Sequence, residues 1–238
     1  MMKMKILLLT ALLMVPLMIP GALYNSTIAL AKSDIYLEWF KPANANLRLA
    51  SSYLRTGNID FAALALEKIV EGKTQTSAAG DLAEVITSAR AQAKSALDLV
   101  DANEPEKARD GLLKLREMLF QQHKARKIEV FDDCIWELNK RGPALWRFRK
   151  NAPDLGDQQQ SQAVGKAAAE YLEQLDKCDE MAAPETKSDG SFQRLVKGAR
   201  TSLKRFPAEV LDAKDGGLLF RFIIELRSFD RLLYLRFG

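Results

Sequence analysis

Apolar side chains recur every third or fourth residue along most of the chain, and this spacing constrains the fold more than any other feature. Such a step places side chains on one face of a helix, whereas a strand requires alternation at every second residue, and no convincing alternation occurs. The pattern covers eight segments: 47–54, 62–69, 82–100, 108–119, 131–138, 164–178, 192–203 and 219–233. The sequence therefore predicts an all-α protein in which about eight helices form one or two antiparallel bundles.

Short polar breaks between these segments indicate how the helices are grouped. Segments 56–58, 72–80 and 103–105 are rich in small, polar or helix-breaking residues, and the longer linkers 151–159 and 182–191 combine proline, glycine and acidic residues. If the chain divides at the first long linker, residues 32–150 form an N-terminal helical half. Residues 160–238 then form a C-terminal helical half that packs against it.

A weak internal repeat predicts a duplicated helix–turn–helix unit. Residues 85–94 match residues 195–204 in the order apolar pair, alanine, arginine and lysine, and Leu115-Arg116 then aligns with Leu226-Arg227. A true duplication implies two related bundles or one pseudo-symmetric bundle. The alternative is chance similarity, because amphipathic helices rich in alanine and leucine resemble one another.

The first 31 residues are organised like an export signal. Lys3 and Lys5 precede an apolar run over 6–23, and Ala29 and Ala31 provide the small side chains that signal peptidase reads. The sequence predicts cleavage after Ala31, which makes Lys32 the new N-terminus and sends the protein to the periplasm or outside the cell by a Sec-type route. The competing interpretation is an uncleaved membrane anchor, since the run approaches the ~18 apolar residues that can span a bilayer. Two prolines inside the run favour cleavage.

The charge balance of the mature chain excludes some partners. Removal of residues 1–31 leaves 33 of the 35 basic residues against 31 acidic residues. A chain so close to neutral gives no reason to expect nucleic acid as a partner. Beyond residue 31 the sequence contains no apolar run long enough to cross a bilayer, so we expect that the mature chain does not span the membrane.

The two cysteines, Cys134 and Cys178, both lie in the predicted mature chain. In an oxidising compartment a single pair of thiols usually forms a disulfide, and each cysteine lies on the apolar stripe of its helix. We expect the bond to join the end of the first half to the start of the second. The alternative is two buried free cysteines.

Catalytic and cofactor patterns are missing from the sequence. His123 is the only histidine, so zinc sites that need several histidines and a serine–histidine–aspartate triad have no further candidate. A Cys-x-x-Cys-His haem attachment sequence does not occur either. The neighbours of His123 are polar and basic, which predicts a solvated side chain at a helix end. The sequence predicts no catalytic residue, metal site or cofactor, and it favours a non-enzymatic function.

Two stretches stand out as a candidate partner or ligand surface. Trp136 and Trp146 lie within a region rich in positive charge, 114–150, and Arg227, Arg231 and Tyr234 lie on the last helix, which is dense in arginine and aromatic residues. Arginine next to indole suits an anionic ligand or a membrane surface. The alternatives are a solvated face with internal salt bridges in the first stretch and a buried central helix in the second.

The leading functional hypothesis from the sequence is an exported, non-enzymatic helical bundle that binds a protein partner or a small ligand in the periplasm. The alternative is a bundle that carries haem or a metal ion and has a redox or metal-handling role. An absorption spectrum and a metal analysis of the purified protein distinguish the two.

Overall fold

The computed structural model describes the backbone of residues 21–72 and 76–238, and the side chains of residues 34–72 and 79–238. Over these residues the chain is helical and contains no strand, which confirms the predicted all-α fold. The helices are α1 (Gly21–Thr56), α2 (Ile59–Val70), α3 (Ala83–Asp101), α4 (Pro105–Arg126), α5 (Phe131–Lys150), α6 (Gln158–Met181), α7 (Pro184–Ser188), α8 (Gly190–Phe206) and α9 (Gly216–Phe237). A short 3₁₀ segment, Thr76–Leu82, precedes α3, and a π-helical segment, Pro207–Asp212, follows α8. The described residues hold one helix more than the eight predicted, because the linker 182–191 contains the five-residue α7.

Local sequence explains where most of these helices begin and end. The carboxylates of Asp157, Asp189 and Asp215 accept hydrogen bonds from backbone N–H groups in the first turns of α6, α8 and α9. Pro105 occupies the first turn of α4, where its missing N–H costs nothing. Gly57 adopts a φ of +76° between α1 and α2, a conformation that favours glycine.

The described side chains form two separate hydrophobic cores. The first core consists of buried side chains from α1, α2, α3, α4 and the 3₁₀ segment. The second consists mainly of buried side chains from α5, α6, α8 and α9. The cores divide the helices between α4 and α5, because the apolar face of α5 packs against α6 and α9. The division into halves 32–150 and 160–238 stays a prediction.

Polar contacts connect the two cores. We call Tyr36, Arg116, His123 and Asp133 the junction cluster. Arg116 Nη2 lies 2.8 Å from Asp133 Oδ1, and His123 Nδ1 lies 2.7 Å from Asp133 Oδ2. The other ring nitrogen of His123 lies 2.5 Å from the Tyr36 hydroxyl. Asp133, at the start of α5, thus binds Arg116 and His123 of α4, and His123 in turn bonds to Tyr36 of α1.

The prediction that His123 is solvated is wrong. The residue is 1% exposed, and the rings of Tyr36 and Phe40 contact its imidazole edge-on. His123 lies four residues beyond the buried Leu119, so its ring points to the same side of α4 as the apolar stripe. Its polar sequence neighbours lie on the opposite face.

A second group of hydrogen bonds joins α1 to the ends of α5 and α9. Asn44 donates to Asp132 at 2.8 Å and to the carbonyl of Gly238 at 3.0 Å. Arg48 Nε donates to the carbonyl of Leu235 at 3.3 Å, and its guanidinium also pairs with Asp132 at 3.5 Å. These contacts hold the last turn of α9 against the middle of α1.

Cys134 and Cys178 lie at disulfide distance, with their Cα atoms 5.5 Å apart. This supports the predicted pairing. The bond links α5, at the end of residues 32–150, to α6, near the start of residues 160–238, and both cysteines belong to the second core.

The duplication and the export signal stay predictions. The proposed repeat places α3–α4 in correspondence with α8–α9, and both pairs are packed helical hairpins. Residues 1–20 lie outside the described residues, and the side chains of Ala29, Ala31 and Lys32 are likewise not described. Among the described helices, none is long and apolar enough to cross a membrane.

Removal of the disulfide is expected to lower the free energy of unfolding. The bond closes a loop across 44 positions, and chain-entropy arguments assign such a loop about 4 kcal/mol. We expect the double variant Cys134→Ala/Cys178→Ala to lose about 2–4 kcal/mol in urea unfolding. A reducing agent should destabilise the parent protein by a similar amount and leave the variant unchanged. Two alkylatable thiols in the native exported protein would contradict the pairing.

Candidate functional site

A cleft lies where the two cores meet, and we call it the arginine cleft. Its volume is about 370 Å³, within the range of sites for small organic molecules. Residues of α1 and α4 from the first core line it together with residues of α5 and α9 from the second. The contacts that join the two cores therefore also fix the walls of the cleft.

The lining of the cleft is strongly cationic. It includes five arginines and one acidic residue, Asp230, and the arginines are Arg48 and Arg55 of α1, Arg109 of α4, and Arg227 and Arg231 of α9. Of the five, only Arg48 has a carboxylate partner among the described side chains.

The positive charges of Arg109, Arg227 and Arg231 act on Arg55 at one end of the cleft. The pKa of the Arg55 guanidinium is lowered, first by partial burial and then by the positive charges of Arg231, Arg227 and Arg109. Like charges held together without a counterion destabilise the folded protein. A bound anion would relieve this repulsion, so the arrangement favours a negatively charged ligand.

Aromatic side chains of α5 and α9 form the apolar part of the lining. Trp136 is buried against Tyr234, with 5.7 Å between ring centroids, and its Nε1 donates to Glu117 at 3.2 Å. Trp146 is half-buried and lies 6.0 Å from the ring of Tyr171. Pro143 of the same helix lies between the two indoles in sequence and also lines the cleft.

Asp230 is 4% exposed at the wall of the cleft, on the second-core side. The Tyr171 hydroxyl and the Asn139 amide each donate a hydrogen bond to its carboxylate at 2.8 Å. Burial raises the pKa of Asp230 to about 6, although both hydrogen bonds and the charge of Arg227 act in the opposite direction. Asp230 thus changes charge within the physiological pH range, next to the arginines.

All five residues of the predicted ligand surface line this one cleft. Trp136 and Trp146 come from α5, and Arg227, Arg231 and Tyr234 come from α9. The structure thus brings together residues from two stretches that lie about eighty positions apart in sequence. That they bind a ligand stays a prediction.

Sequence reasoning missed the residues that the first core contributes. Arg48, Ser51, Ser52 and Arg55 recur at three- and four-residue steps, so they share one face of α1. This polar stripe is the signal that could have identified them. Arg109 has no comparable signal, because it lies on an ordinary polar face of α4.

The positive lining continues outside the cleft. A neighbouring hollow shares Pro143, Trp146 and Arg227 with the cleft and adds Arg147, Arg149 and Lys150. None of these three added side chains pairs with a carboxylate among the described residues. The cationic surface is therefore larger than the cleft itself.

Metal coordination has no candidate cluster among the described side chains. They contain no group of three or more histidine, cysteine, aspartate or glutamate side chains placed to hold a metal ion. Both ring nitrogens of His123 are within hydrogen-bond distance of Tyr36 and Asp133, so neither is available to an iron or zinc ion in this conformation.

Comparison with known proteins finds no protein-family model, curated protein or solved structure that matches this chain.

Substitution of Asp230 by asparagine is expected to change how stability depends on pH. The pKa of Asp230 is about 6 in the folded protein, above the ordinary aspartate value of 3.8, so the folded state binds more protons than the unfolded state between these values. The free energy of unfolding should therefore fall as pH rises from 4 to 6, by about 1.4 kcal/mol for each unit by which the pKa is raised.

The Asp230→Asn variant should lose this pH dependence, because its amide is neutral and can still bond to Asn139 and Tyr171. Urea unfolding at pH 4, 5, 6 and 7 measures the effect. The free energy of unfolding of the variant, relative to that of the parent, should increase as the pH rises. Asp212→Asn, at an exposed carboxylate, serves as the control. A difference between Asp230→Asn and the parent that does not vary with pH would contradict the prediction.

Proposed function

We propose that the chain is an exported, non-enzymatic helical-bundle protein that binds a small anionic ligand in the arginine cleft. The observation that carries the proposal is the set of four arginines at one end of the cleft, which have no carboxylate partner among the described residues. A folded protein keeps such a cluster at an electrostatic cost, and an anion that binds there offsets this cost.

The position and size of the cleft also support a binding role. Small-ligand sites commonly lie between structural units, where polar groups from several elements converge on an apolar surface. Helices α1, α4, α5 and α9 each contribute side chains to this cleft, and its volume of about 370 Å³ admits a small organic molecule.

Export is part of the proposal and has separate support. The N-terminal 31 residues are organised like a cleaved signal, and a disulfide between Cys134 and Cys178 is compatible with an oxidising compartment outside the cytoplasm. In that compartment a binding protein meets solutes or partner proteins directly.

Tryptophan fluorescence tests the binding role, because two of the three tryptophans, Trp136 and Trp146, line the cleft. We expect citrate and inorganic pyrophosphate to change the emission in a saturable way at low ionic strength, and the effect should weaken as salt is added. The double variant Arg227→Gln/Arg231→Gln should weaken binding about tenfold or more, because each charged hydrogen bond contributes about 1.5–3 kcal/mol.

The matched control is Arg221→Gln/Arg236→Gln. It removes the same charge from exposed positions of α9 that do not line the cleft. This control should bind both anions like the parent protein. If neither anion binds at millimolar concentration, or if the control loses as much affinity as the cleft variant, the proposed function is wrong.

A further inference from the structure

The cationic and aromatic parts of the arginine cleft come from different helices. The arginines belong to α1, α4 and α9, whereas both indoles belong to α5. A ligand in the cleft therefore meets positive charge from three helices and a flat apolar surface from the fourth.

The cationic part exceeds what a single negative charge can neutralise. Four arginines without a carboxylate partner among the described side chains line the cleft, and Arg55 is close enough to the other three for its pKa to respond to them. Asp230, the one acid in the lining, is already bonded to Tyr171 and Asn139. The positive charge of the cationic part therefore suits a ligand with two or more acidic groups.

The aromatic part is held in place without a ligand. The indole of Trp146 lies directly against Gly142, where an added Cβ would come within 2.4 Å of the indole Nε1. Trp136 is fixed by its hydrogen bond to Glu117 and by the guanidinium of Arg116, which lies 5.2 Å from the ring centroid. Rigid flat surfaces of this kind bind aromatic groups at low entropic cost.

We propose that the arginine cleft binds an aromatic polyacid, with its acidic groups at Arg55, Arg109, Arg227 and Arg231 and its ring against Trp136 and Trp146. The proposal rests on the proposed anion-binding function and specifies the ligand class. The acidic groups provide most of the affinity, because guanidinium pairs with carboxylates or phosphates in two parallel hydrogen bonds. The indoles provide the preference for a flat ring over a saturated one.

Isothermal titration calorimetry with three acids separates these contributions. Benzenetricarboxylate and cyclohexanetricarboxylate carry the same number of acidic groups and differ in the flatness and aromaticity of the ring, while benzoate keeps the ring and carries one acidic group. We expect benzenetricarboxylate to bind about threefold to tenfold more tightly than cyclohexanetricarboxylate. Benzoate should bind at least about tenfold more weakly than either triacid.

Variants of the two parts of the cleft should act differently. Arg227→Gln/Arg231→Gln should weaken both triacids about tenfold or more, and Arg221→Gln/Arg236→Gln should leave both unchanged. Trp146→Leu should remove the preference for the aromatic triacid and barely affect the saturated one. Gly142→Ala gives a second test of the same point, because the added methyl group displaces the indole without removing it.

The outcomes distinguish the two proposals. If both triacids bind equally and Trp146→Leu and Gly142→Ala have no effect, the aromatic ligand class is wrong and anion binding at the cleft stands. If benzoate binds as tightly as the triacids, the requirement for several acidic groups is wrong. If neither ring triacid binds but citrate or pyrophosphate does, the aromatic ligand class is wrong and the proposed function stands. If none of these anions binds, both proposals are overturned.

Discussion

The buried pair between Arg116 and Asp133 is the contact on which the arrangement of the two cores depends. Arg116 is 1% exposed and Asp133 is 8% exposed, so water contributes little to stabilising either charge. Asp133 compensates Arg116 and also binds His123, which ties the first turn of α5 to α4. Breaking such a pair leaves an uncompensated charge in the interior, which costs about 3–5 kcal/mol. The chain therefore has one strongly favoured way to place its second core against its first.

The cleft follows from this placement, because two of its walls, α1 and α4, belong to the first core and the other two, α5 and α9, belong to the second. Arg116 also lies against the ring of Trp136, so the same guanidinium that joins the cores supports an indole of the cleft. On the other side, Arg48 binds the carbonyl of Leu235 and holds α1 close to α9. Arg55 of α1 is thus kept near Arg227 and Arg231 of α9 by contacts that involve none of these three side chains. A cluster of like charges can persist only on a scaffold that is fixed by other interactions of this kind.

Periodicity was sufficient to predict the helices, since each apolar stripe is the face that a helix buries. It was not sufficient to assign α5 to a core, because an apolar stripe does not specify its partner, and the position of Cys134 in the second core emerges only from tertiary packing. His123 was misjudged from its polar neighbours, although its spacing from Leu119 places it on the buried face of α4. In the cleft, the density of aromatic residues and arginines in α5 and α9 was sufficient to select five lining residues of these two helices as a candidate ligand surface. Arg109 was not identifiable, since it looks in sequence like an ordinary solvated side chain, and Arg55 was identifiable only through the polar stripe that it shares with Arg48 on α1.

A double-mutant cycle on Arg116 and Asp133 tests the central claim that this buried pair joins the two cores. The parent, Arg116→Met, Asp133→Asn and the double variant are compared by urea unfolding monitored by circular dichroism. Each single variant should lose about 3–5 kcal/mol, and the double variant should lose clearly less than the sum of the two, within one cooperative transition. The account would be contradicted if the loss of the double variant equals the sum of the two single losses within about 0.5 kcal/mol. It would also be contradicted if the parent protein unfolds in two separate transitions.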